Sequence, residues 1–194
     1  MVRRLLVIAV FGLRYKLQIS GVENLPREGP VMLLGNHISY IDWVFAQWAT
    51  PRTIHFVMHE DYYNIPLLRW FWRAIKIICV NPSNSRNALR NVVSALENKQ
   101  MVGIFPEGEI SRTGNLLQLK RGFEKILSET NTDVTVLPFV VENMWGSLLS
   151  KAPKEVKASQ RFFFRRKVHI HFGKDLGKNT DRTSLEKAML NMLD

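Results

Sequence analysis

A histidine and an aspartate five positions apart, His37 and Asp42 in "GNHISYIDW", can do proton chemistry near neutral pH. An imidazole can take a proton from a hydroxyl, and a carboxylate on its other nitrogen fixes the tautomer. Five residues on a regular helix turn through about 500°, so the two side chains would not share a helical face. They meet only if His37 lies in a loop and Asp42 in the first turn after it, pointing back. The same letters allow a plainer reading. Ser39 followed three residues later by an acid fits a capping box, so Ser39 is expected as the helix cap. A second candidate group follows in "IFPEGEISRTG". Glu107 and Glu109 are carboxylates; Gly108, Ser111 and Arg112 supply a turn and donors; Lys120 follows shortly after. Such a loop can hold a phosphate, or it can be a solvated turn.

Both groups follow short apolar runs. "GPVMLLGN" and "QMVGIFPEG" read as buried strands, and "TIHFVMH", "KIICVN" and "DVTVLPFVV" read likewise. "SYIDWVFAQWA", "SNSRNALRNVVSALENK", "LKRGFEKILSET" and "RTSLEKAMLNMLD" read as helices, the second capped by Ser83 or Asn84. "DYYNIPLLRWFWRAI" is helical on either side of Pro66. "YKLQIS" is an entry strand, and "RKVHIHFG" alternates as a more exposed one. Strands and helices alternate, which predicts an α/β fold: one layered domain, a mixed and largely parallel sheet flanked by helices. Chemistry in such sheets sits in loops beyond the strands' carboxyl ends. Both candidate loops stand there, so they are expected to face one cleft.

The 194 residues suit one domain. With 27 Lys and Arg against 17 Asp and Glu, the net charge is +10, which favours anionic partners. Nucleic acid is not expected, since no recognition motif accompanies the charge. Residues 151–167 concentrate it: Lys151, Lys154, Lys157, Arg161, Arg165, Arg166 and Lys167 against Glu155. This run suits anionic lipid, an acidic carrier protein or plain solvation. Residues 1–14 form a separate apolar segment, a packed helix or one lying in a membrane interface, and 15–194 form the domain. Leu5 to Leu13 is too short to cross a bilayer, and its flanking arginines suit anionic headgroups. Trp70, Phe71 and Trp72 between Arg69 and Arg73 are interfacial anchors or a packed helix. The single Cys79 is expected buried and inert. His169 and His171 face one side of a strand and, with no third ligand, are not expected to bind metal.

Taken together, the two loops resemble the glycerolipid acyltransferase family. Asn36, His37 and Asp42 match its Asn-His-x4-Asp block, and Phe105, Pro106, Glu107 and Gly108 match its Phe-Pro-Glu-Gly block. "VLPFVV" around Pro138 and "ISGVENLP" match two further blocks, in order, within residues 15–142. The resemblance implies acyl transfer from acyl-CoA or acyl-carrier protein to a glycerol hydroxyl on a cytoplasmic membrane face. No other cofactor and no metal are implied. His37 is the implied base and Asp42 its orienter. Asn36, Ser39, Glu107, Gly108, Glu109, Ser111, Arg112 and Lys120 are the implied substrate contacts. Two departures stand out. Asn81 and Pro82 occupy places where many members have an acid and an arginine, and Glu109-Ile110-Ser111 replaces Thr-Arg-Ser. These resemble the branch that acylates lysophosphatidylethanolamine. The expected acceptor is therefore a lysophospholipid, with 1-acylglycerol-3-phosphate as the alternative and a non-catalytic lipid-binding domain as a remoter one.

Overall fold

The computed structural model describes residues 11–81, 85–159 and 165–193. Seven strands form one sheet: β1 Tyr15–Ser20, β2 Val31–Gly35, β3 Ile54–His59, β4 Ile78–Val80, β5 Met101–Ile104, β6 Thr135–Glu142 and β7 Arg166–Phe172. Their order across the sheet is β1-β7-β6-β2-β5-β3-β4. Every neighbouring pair is parallel except β6 with β7. The helices are α1 Asp42–Ala49, α2 Glu60–Tyr63, α3 Arg69–Ala74, α4 Ser85–Glu97, α5 Gly122–Glu129, α6 Lys154–Ser159 and α7 Arg182–Leu193. The α/β layering expected from the sequence is what the chain forms.

β2 lies at the centre, flanked by β5 and β6, and all five of its residues are buried. That is why it reads as an unbroken apolar run rather than an alternating one. Val31 and Leu33 enter a core with Val44, Phe45 and Ala46 of α1, while Met32 and Leu34 enter a second core on the opposite face. There they meet Val92 and Leu96 of α4, Phe123 and Leu127 of α5, and Leu185 and Met189 of α7. The strand period of two thus sorts one short segment into two cores. At its end Gly35 leaves room for the Phe139 ring: a Cβ there would lie 2.1 Å from the Phe139 Cζ.

Several expectations change in detail. β4 is an edge strand and only half-buried, because no described strand pairs with its outer side. Cys79 is therefore half-buried rather than enclosed, although burial, and then the nearby Glu60, still push its thiol pKa upward. β7 is interior, since β1 covers its outer edge. Beyond its first two residues, Arg166 and Lys167, only the alternate residues His169 and His171 keep partial exposure. His169 is tied on both sides, its Nδ1 to Glu142 Oε2 at 2.8 Å and its Nε2 to Ser20 Oγ at 2.8 Å. In the aromatic cluster Trp70 is 69% exposed, whereas Trp72 is buried and donates Nε1–H to the Tyr62 carbonyl. One tryptophan packs and the other is open to an interface. No described helix is long and apolar enough to cross a membrane. Most of the 1–14 segment, the 83–84 cap and Arg161 lie outside the described residues.

Replacing Gly35 with Ala should force the Phe139 ring to move and lower stability by about 1–3 kcal/mol, typical of overpacking a core. Urea unfolding checks this.

Candidate active site

β2 and β5 are adjacent and parallel, with Leu34 in register with Ile104. The chain therefore leaves both strands at the same end of the sheet and at the same height, and the two loops must meet. They meet at the backbone of His37. Its N–H donates to Glu107 Oε1 at 2.6 Å, and its carbonyl accepts from the Ser111 N–H at 2.7 Å. The preceding residue is fixed from the other side. The Asn36 amide donates to the Val141 carbonyl at 3.0 Å and accepts from the Val141 N–H at 2.7 Å. Asn36 thus continues the β2–β6 ladder with its side chain after the strand has ended.

The His37 ring is held as tightly. Its Nδ1 lies 2.9 Å from Asp42 Oδ2. The ring stacks on Phe105, with centroids 4.2 Å apart and planes 13° apart, and Phe105 stacks in turn on Phe56 at 5.7 Å. Asp42 side-chain atoms are fully buried, whereas the His37 side chain retains 18% exposure. An acceptor-only carboxylate on Nδ1 requires the proton there, and in the neutral imidazole this leaves Nε2 with a lone pair. Among the described residues Nε2 has no hydrogen-bond partner. This is the base-and-orienter geometry, with His37 in the loop and Asp42 at the first turn of α1.

Of the expected division of labour between Ser39 and Asp42, only the part given to Asp42 is found. Ser39 does not cap α1; the residue before the helix is Ile41, without a side-chain cap. Asp42 itself organises the loop, accepting from the Ile38 N–H at 2.8 Å, the Ser39 N–H at 2.8 Å and the Ser39 hydroxyl. The aspartate needs these donors because a buried carboxylate is costly unless its oxygens are satisfied. Orienting the imidazole and folding the loop that precedes α1 are both done by one side chain, and the helix itself has no side-chain cap.

The expected substrate contacts divide by burial. Asn36, Ser39, Glu107 and Ser111 are all buried. Their side-chain polar atoms are hydrogen-bonded within the protein, an arrangement suited to positioning the site. The Ser111 hydroxyl donates to the Asn115 carbonyl at 2.7 Å and accepts from the Gly114 N–H at 3.1 Å, folding the second loop. Glu107 receives the Leu117 N–H at 2.8 Å on its other oxygen. Gly108, Glu109, Arg112 and Lys120 are exposed and remain available. Gly108 has φ +72°, and the Lys120 ammonium lies so close above it that a Cβ would come within 2.6 Å of Nζ. The Lys120 backbone is also bound to this turn, through the Pro106 carbonyl at 2.8 Å, so α5 begins only at Gly122. Sequence reasoning gave no role to Phe105, whose ring is the platform for His37. It also missed Trp145, which donates to the Arg112 carbonyl at 3.0 Å. Phe105 had a signal, an aromatic immediately before the turn; Trp145, 33 residues from its partner, had none.

The acyltransferase family model matches residues 16–142. The chain belongs to the glycerolipid acyltransferase family. It is 29% identical over 152 residues to the 1-acyl-sn-glycerol-3-phosphate acyltransferase of Borreliella burgdorferi, covering 74% of this chain and 58% of that one. It is 26% identical over 131 residues to a chloroplastic protein of the same name from Arabidopsis thaliana, covering 66% of this chain and 36% of that one. The chain thus spans between about a third and three fifths of these relatives' lengths. The fold is that of the crystal structure of the 1-acyl-sn-glycerophosphate acyltransferase PlsC from Thermotoga maritima, with a TM-score of 0.75 at 22% identity. That match covers 98% of this chain and 75% of the other.

Glu107 carries a testable consequence. Burial pushes its carboxyl up to about 7, against the two amide hydrogen bonds that favour the charged form. A carboxyl raised on folding contributes most below its unfolded value near 4.5 and loses that contribution as pH rises through about 7. The wild-type protein should therefore lose on the order of 3 kcal/mol across this window, relative to Glu107→Gln. Denaturant unfolding of both proteins at several pH values between those limits checks the slope.

Proposed function

We propose that this acyltransferase-family chain moves a fatty acyl group from an acyl thioester to the free glycerol hydroxyl of a 1-acylglycerol-3-phosphate. The observation that carries the chemistry is the 2.9 Å contact between His37 Nδ1 and the buried Asp42 carboxylate. It supports an imidazole whose Nε2 is ready to accept a proton. In the proposed step the acceptor O–H gives its proton to Nε2 as the oxygen attacks the thioester carbonyl. The C–S bond then breaks, and the thiolate takes the proton back from the imidazolium. No covalent enzyme intermediate is needed, so neither Cys79 nor Ser39 acts as a nucleophile. Asp42 stabilises the imidazolium while it exists. The exposed cations Lys120 and Arg112, beside the Gly108 turn, suit the acceptor's phosphate. Coenzyme A and acyl-carrier protein both suit a basic surface as donors. Because both substrates carry long chains, the reaction belongs at a membrane surface, with the exposed Trp70 as one contact.

The acceptor differs from the one ranked first by sequence reasoning. The departures at Asn81 and Glu109 favoured lysophosphatidylethanolamine. The matched relatives are named for 1-acyl-sn-glycerol-3-phosphate, and this supports the phosphomonoester instead. An exposed Glu109 would sit near a bound headgroup, so ethanolamine remains the second reading.

Release of thiol from acyl-CoA, dependent on added lysolipid, tests both points. Lysophosphatidate should be the better acceptor; a clear preference for lysophosphatidylethanolamine contradicts this. His37→Ala should lower turnover by at least about 10²–10⁴-fold, with circular dichroism unchanged. Asp42→Asn should cost a similar factor and should also lower stability by about 1–3 kcal/mol, because the Ile38 and Ser39 donors lose their acceptor. A folded His37→Ala protein with near-normal rates refutes the mechanism.

A further inference from the structure

A second concave site lies beside the catalytic loop and is used by none of the residues assigned so far. It is a cavity of about 340 Å³ where the start of β1, the start of β7 and the segment after β6 come together. Arg14, Lys157 and Arg166 line it, and among the described residues no carboxylate does. Arg166 is fixed in place, its Nη1 donating to the Asn143 carbonyl at 2.7 Å and the Trp145 carbonyl at 3.3 Å. Burial depresses the pKa of its guanidinium; Tyr15 acts in the opposite direction and the neighbouring Arg14 in the same one. Together with Lys157 the two arginines make this half-enclosed space positive, which favours an anion there. The cavity wall also includes Ser147, a buried residue whose hydroxyl has no hydrogen-bond partner among the described residues.

The remaining wall is apolar: Phe11, Leu148 and Leu149. Leu148 is 60% exposed, and Leu13, just outside, is 81% exposed. Exposed leucines beside a basic cavity are the pattern of a surface that inserts apolar side chains into a bilayer while cations meet its headgroups. A soluble phosphate would use the cations and leave the leucines in water. The site is also tied to the catalytic loop. The Leu149 carbonyl accepts from the Tyr40 N–H at 2.9 Å, and Ser150 pairs with Ser39 in an isolated antiparallel bridge.

We infer that this cavity binds the headgroup phosphate of an anionic bilayer phospholipid, with Leu13, Leu148 and Leu149 entering the acyl-chain region. The bound lipid anchors the segment that carries Leu149 and so holds the loop bearing His37 against the membrane.

The test is partition of the full chain between buffer and vesicles of phosphatidylcholine, with or without phosphatidylglycerol. The wild type should bind the phosphatidylglycerol vesicles more tightly. Arg14→Glu with Lys157→Glu should weaken that binding by about tenfold or more, since basic groups near an anionic surface each matter at this level. Lys151→Glu with Lys154→Glu changes the net charge equally but lies outside the cavity, and should weaken it by no more than about threefold. Leu148→Ser, an exposed position that the fold does not need, should also weaken binding. Millimolar inorganic phosphate should not displace the protein from the vesicles. His37→Ala should bind as the wild type does, so the inference stands or falls separately from the acyl-transfer reading. Equal losses from the two double reversals would mean a diffuse basic field. That result, displacement by inorganic phosphate, or unchanged binding of Leu148→Ser overturns the inference.

Discussion

The arrangement rests on one buried carboxylate. Glu107 receives the His37 amide on one oxygen and the Leu117 amide on the other, and so joins a loop that follows β2 to a loop that follows β5. Both amides belong to half-buried loop residues. An unpaired buried N–H costs about as much as the hydrogen bonds it forgoes. The carboxylate satisfies both, at the expense of its own desolvation. That expense is visible in its raised pKa.

From that tie the rest of the site follows outward. With its N–H and carbonyl both bound by the second loop, His37 has a fixed Cα, and its ring has only to be set by its two flanking contacts. Phe105 supplies the flat face, and Asp42 supplies the edge. Phe105 can lie there because Phe139 packs edge-on against it, 5.9 Å away, and because Gly35 yields space to Phe139. A glycine in the central strand is thus coupled through two aromatic rings to the orientation of an imidazole. Preorganisation of this kind is where much of an enzyme's advantage lies, since aligned reactants can be worth about 7–11 kcal/mol.

The sheet and its flanking helices were legible in the sequence because their signals are local. β2 is a continuous apolar run bounded by glycines, and α4 repeats its apolar residues at helical spacing. The pairing of His37 with Asp42 was legible too, since five residues separate them and a loop-to-helix turn can close that gap. The role of Ser39 was misread for an energetic reason. A capping box assumes that the serine needs the helix, whereas here the buried aspartate needs the serine. The burial of Glu107 and Ser111 is not legible in the sequence, where a loop rich in polar side chains suits a phosphate as well as it suits internal bonding. Only the register of β2 against β5 brings the Glu107 carboxylate and the Ser111 backbone N–H onto the first loop, while the Ser111 hydroxyl folds its own. Partnerships such as Asn36 with Val141, or His169 with Glu142 and Ser20, depend on strand order across the sheet. Strand order is set by packing over more than a hundred residues and leaves no mark in any one stretch.

The central claim is that Asp42 holds His37 with its proton on Nδ1, so that Nε2 is the base. Nitrogen-15 NMR of the labelled imidazole reports this directly in the resting protein at neutral pH. The account predicts that His37 is the Nδ1–H tautomer, with an unprotonated Nε2, and that Asp42→Asn abolishes this preference. A His37 ring that carries its proton on Nε2 in the wild-type protein, or one whose tautomer ignores the Asp42 substitution, would contradict it.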